Sequence, residues 1–110
     1  MEEVKARLIY ITCSSSSEAE KIGKQIVKER LCASVNIIDN MHSFYWWKGK
    51  IEESREAILI AKTKEELVSE LINRVKELHS YECPCIIVLP VIGGNSDFFA
   101  WLKSETKPLN

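Results

Sequence analysis

The 110-residue sequence predicts an α+β fold in which two helices lie on one face of a four-stranded antiparallel sheet and a short third helix ends the chain. Three observations predict it. Runs rich in β-branched and aromatic residues alternate with stretches whose apolar residues recur at helical spacing. Both longer helical stretches open on Ser/Thr-x-x-Glu, the spacing of a capping box. Gly49, Pro84 and the Gly93-Gly94 pair fall between the runs, where turns belong.

The first strand is Val4 to Thr12, and its apolar end, Leu8 to Ile11, reads as buried on both faces. Ser15-x-x-Glu18 then starts a helix, with Ala19, Ile22, Ile26 and Val27 on one stripe and Glu20, Lys21, Lys24, Lys28 and Glu29 opposite. From Cys32 to Lys62 come three extended pieces, CASVNIIDN, MHSFYWWKGKIEE and REAILIAK, with Asp39-Asn40 and Gly49 as the turn candidates between them. Thr63-x-x-Glu66 opens the second helix, whose stripe is Leu67, Leu71, Val75 and Leu78 and which ends near His79. Pro84 cannot donate to a ladder, so it opens the last strand, Cys85 to Ile92, and Gly93-Gly94 closes it. An Asn95 or Ser96 cap leads into a helix from Asp97 to Glu105. The order β-α-β-β-α-β is the split βαβ pattern of ferredoxin-like folds, here with an extended central hairpin, a C-terminal helix and one domain over residues 1–110.

A formal net charge of -1 and a pI near 6.1 give no electrostatic reason to expect nucleic acid, whose binding needs clustered Lys and Arg. The N-terminus is acidic where a secretory signal is basic, and no apolar run approaches membrane-spanning length, so the expected compartment is the cytoplasm. Cys13, Cys32, Cys83 and Cys85 then read as reduced thiols rather than a disulfide framework. Cys13 lies beside a helix start, where thiolates are stabilised. There is no Gly-rich phosphate loop, nucleophile elbow or His-Glu-x-x-His, and an enzyme is not expected.

More specific is an ordered set: Leu31-x-Ala33-x-Val35-Asn36, Ser43-x-Tyr45-x-Trp47-x-Gly49-x-Ile51, Glu56, Lys62-Thr63, His79-x-Tyr81-x-x-Pro84, Gly94-Asn95 and Trp101-Leu102. From about Leu8 to Trp101 the chain resembles the CutA divalent-cation-tolerance family. The resemblance implies a ferredoxin-like homotrimer akin to PII signalling proteins, whose hairpins extend each sheet onto a neighbour, and a role in tolerance to copper and other divalent cations. Phe44, Tyr45, Trp46 and Trp47 agree with it, because consecutive strand residues face opposite ways and one small domain can hardly cover both. By the same resemblance Tyr45, Trp47, Glu56, Lys62 and Tyr81 contribute to a ligand cleft between subunits. The chain departs from the family at Ser34, where a Cys is usual, at Ser80, where Pro is usual, and at Cys85, where Glu is usual.

The sharpest chemical candidate is His79-x-x-x-Cys83-Pro84-Cys85, because an imidazole and two thiolates suit Cu(I) or Zn(II). The competing reading makes the cysteines core thiols beside a histidine at a helix C-terminus. Glu56 and Lys62, six apart on one strand, share a face and suit either a small anion or an ion pair. Tyr45, Trp46 and Trp47 suit ligand stacking or interface packing. Three functions are compatible with these residues: a metal-binding trimer needing no resident cofactor, with copper or zinc as its ion; a PII-like sensor of a small ligand; and a structural adaptor.

Overall fold

The computed structural model describes residues 4–109. Strands β1 (Ala6–Cys13), β2 (Ser34–Trp47), β3 (Lys50–Lys64) and β4 (Ile86–Pro90) alternate with helices α1 (Ser16–Lys28), α2 (Val68–Leu78) and α3 (Ser96–Glu105). The sheet order is β2-β3-β1-β4 and every pairing is antiparallel, the ferredoxin-like arrangement expected. β1 is central: Arg7 to Ile11 pair with β4 on one side, and Ala6 to Cys13 with β3 on the other.

Strand periodicity separates two faces. Ile9, Ile11, Leu59 and Ala61 pack with Ile22 and Ile26 of α1 and Leu71 and Val75 of α2 into a core closed to solvent. Gly23 lets α1 approach closely, since a Cβ there would meet Leu59 Cδ1 at 3.1 Å and Val35 Cγ2 at 3.2 Å. The opposite face carries Leu8, Tyr10, Ile60, Ile87 and Leu89, in register across β1, β3 and β4. β1 is therefore not buried on both sides: Leu8 and Tyr10 are half-buried, and Ile87 and Leu89 are exposed.

Three local expectations change. Asp39-Asn40 is not a turn but a register shift between Ile38 and Met41, with Asn40 at φ 60° and its amide held by Asp39 Oδ1 at 2.7 Å. β2 therefore continues through the bulge, and the three extended pieces form one hairpin. Its tip is Lys48-Gly49, with φ of 51° and 80°, the paired positive φ of a two-residue type I′ turn. Thr63 does not cap α2; it lies in β3 with its hydroxyl donating to Leu31 O at 2.7 Å, and a 3-10 turn, Glu65–Leu67, precedes the helix. The last strand is also shorter than Cys85 to Ile92.

Beyond Glu56 and Met41 the hairpin leaves β1 behind and projects as a two-stranded ribbon. The protein is consequently elongated, 51 × 25 × 22 Å. Phe44, Trp46 and Ile51 on the ribbon are 63%, 71% and 62% exposed.

Candidate functional site

The segment between α2 and β4 runs past the base of the ribbon, and a set of hydrogen bonds fixes it there. His79 closes α2, its amide donating to Val75 O at 2.9 Å. Its ring Nδ1 accepts from the Tyr81 amide at 3.0 Å, so the ring proton belongs on Nε2, which lies 2.7 Å from Thr12 O and donates to it. The Glu18 carboxylate takes the Ser80 amide on Oε2 and the Ser14 amide and hydroxyl on Oε1, each at 2.9 Å. Burial alone would raise the Glu18 carboxyl, but the bonds from Ser80 and Ser14 outweigh it and hold it at about 2. Tyr81 stacks at a tilt on His79, with centroids 4.8 Å apart, and donates its hydroxyl to Glu56 Oε2 at 2.7 Å. Burial first, and then this bond to a carboxylate, push the Tyr81 phenol well above its ordinary value, which keeps it a donor.

These contacts leave an open cleft of about 830 Å³ between the ribbon and the 80–85 segment. Tyr45, Trp47, Glu56, Tyr81, Cys83 and Cys85 line it. Glu56 is only 6% exposed, and among the described residues one hydrogen bond, to Oε2, holds its carboxylate. Glu82 adds a second carboxyl to the walls, and among the described residues no Lys or Arg lines them. A cleft of this size suits a small ligand, and its charge suits a cation.

Of the five residues that the resemblance implies for a cleft between subunits, Tyr45, Trp47, Glu56 and Tyr81 line this cleft within one chain, and Lys62 does not. It shares the open sheet face with Glu56, as the strand period requires, but six residues separate them by about 20 Å. Its ammonium instead bonds Asn36 Oδ1 on β2.

The expected trio of His79, Cys83 and Cys85 also divides. Cys83 and Cys85 line the cleft, whereas His79 is not among its lining residues and commits both ring nitrogens to the backbone. Among the described residues, the three metal-capable groups that converge are Cys13, Glu18 and His79, with donor atoms within 4.8 Å of one another. Glu18 and His79 are already hydrogen-bonded there, and the Cys13 thiol, raised by burial first and then by Glu18 and Glu56, is pushed up to about 12, opposite to the lowering that a helix start would give. Sequence reasoning missed this grouping because it joins three elements. Its one signal was Glu18 in the capping-box position, and the carboxylate reaches the Ser14 amide rather than that of Ser15.

The family model described as "CutA1 divalent ion tolerance protein" matches residues 7–105. A protein of Pyrococcus horikoshii named "Divalent-cation tolerance protein CutA" is 46% identical over 100 residues, 91% of this chain and 97% of its own length. A rice protein named "Protein CutA 1, chloroplastic" is 38% identical over 91% of this chain, which spans only 56% of that longer protein. The crystal structure of CutA1 from Oryza sativa superimposes with a TM-score of 0.92 at 38% identity, covering 94% of this chain and 95% of that one.

Proposed function

The chain belongs to the CutA1 divalent ion tolerance family, and from that premise we propose that it acts by binding metal ions, copper among them, in the cleft at the base of the hairpin. The observation that carries this reading is Glu56. Its carboxylate lines the cleft, and among the described residues its one hydrogen bond is the Tyr81 hydroxyl on Oε2, so Oε1 is available to a cation held there. The test is equilibrium dialysis with Cu(II) and Zn(II) of the wild-type protein and of Glu56→Gln, which keeps an acceptor for Tyr81. Binding that is saturable and weakened about 10-fold or more in the variant is expected. Identical binding by both proteins would remove Glu56 from the site.

The same proposal includes a homotrimer in the cytoplasm. Exposed apolar side chains on the open sheet face and on the ribbon form surfaces that a second chain can cover, and an unpaired strand edge is satisfied by a neighbour. Among the described residues no helix is long and apolar enough to cross a membrane. Tyr45 and Trp47 in the cleft also support a small-ligand sensor, for which a metabolite that raises the melting temperature would be the sign. Both readings are of a binding protein, and neither assigns it a catalytic step. An adaptor role would leave the cleft without either ligand.

A further inference from the structure

The four thiols fall into two classes. Cys13 and Cys32 are closed inside the core, and burial pushes both up to about 12. Cys83 is exposed, Cys85 is half-buried, and both line the cleft. They stand two residues apart on its wall. Thr12 N donates to Cys85 O at 3.2 Å, so Cys85 continues the β4 ladder one step before the strand and falls in phase with Ile87 and Leu89. Cys83 lies at a bend just before it, with Pro84 between them. Residues two positions apart have Cα atoms no more than about 7 Å from each other whatever the backbone between them.

We infer that Cys83 and Cys85 together form a two-thiolate site for a soft, two-coordinate cation, with Cu(I) as the ion it selects. This rests on the reading of the cleft as the metal site and names the kind of ion that site takes. Two metal–sulfur bonds in line span on the order of 4–5 Å, a separation within reach of side chains carried two residues apart. Thiolates favour Cu(I) over the harder divalent ions, and the imidazole that would enlarge the coordination, His79, is held by Thr12 and Tyr81. On binding, two S–H bonds break, two S–Cu bonds form and both protons pass to solvent. With copper supplied as Cu(I) no electron is transferred.

The test is an anaerobic titration of the reduced full chain with Cu(I) against a competing chelator, with circular dichroism to confirm folding and with Cys83→Ser, Cys85→Ser, the double variant and Cys13→Ser in parallel. One Cu(I) per chain is expected. Loss of an outer hydrogen-bonding partner already weakens metal sites about 10- to 100-fold, so either single cleft variant should lose about 100-fold or more, and Cys13→Ser should not. Cu(I) binding that survives in the double variant, or that disappears in Cys13→Ser alone, overturns the inference. Wild-type protein that takes Cu(II) or Zn(II) but not Cu(I) overturns the thiolate site and leaves the cleft as a metal site. Wild-type protein that takes no metal ion overturns both.

Discussion

Glu18 accepts from Ser14 and Ser80 at once, and through them it ties the end of β1 and the start of α1 to the wall of the cleft. Because its carboxyl is lowered from 4.5 to about 2, its contribution to stability is complete above about pH 4.5 and is lost as the pH falls towards 2. The side chain is partly solvated, so that contribution is on the order of 1–2 kcal/mol rather than the full linkage value. Urea unfolding of wild type and Glu18→Gln should differ by this amount at pH 6, with the difference closing between pH 4.5 and 2. A constant difference across that range would show that the hydrogen bonds do not depend on the charge. The capping box at Ser15 was legible because it is local. The partnership with Ser80 was not, because 62 residues separate the two and nothing in either segment encodes their meeting. The place of His79 was illegible for a related reason: its residue type does not show that the end of α2 puts its ring against the Thr12 carbonyl.

In the hairpin the element order was readable from apolar runs and turn residues, and its continuity was not. Asp and Asn serve turns and bulges through the same backbone chemistry, so Asp39-Asn40 signals either one, and only the pairing with β3 distinguishes them. Gly49 is a clearer case. Its φ of 80° lies where a side chain is strained, while nothing lies within 4 Å of where its Cβ would be. Gly49→Ala should therefore destabilise the protein by about 1 kcal/mol through backbone strain alone. Gly93, also with open space around it and without a positive φ, is the control. Gly93→Ala should be neutral or slightly stabilising in the same thermal unfolding measurement.

For the molecule as a whole, the exposed Ile87 and Leu89 on the open sheet face identify what assembly would cover. The double variant Ile87→Glu/Leu89→Glu places like charges on that face. Light scattering at micromolar concentration should give a three-chain mass for the wild type and a single-chain mass for the variant. A single-chain mass for the wild type would remove the trimer from the proposal. How far the cleft could be read also depends on this scale. Within one chain Tyr45, Trp47, Glu56 and Tyr81 line the same cleft while Lys62 lies apart from it, because a shared strand face says nothing about distance along it. The central place of β1 has a further consequence, in time rather than in space. The strand made first needs partners from the middle and the far end of the chain, with Arg7 opposite both Thr63 and Pro90. During synthesis β1 can add β3 before β4 exists, but one of its edges stays open until residue 90 has left the ribosome. Such a chain completes its sheet only when β4 docks, and until then it presents to the cell an apolar strand edge of the kind that chaperones attend.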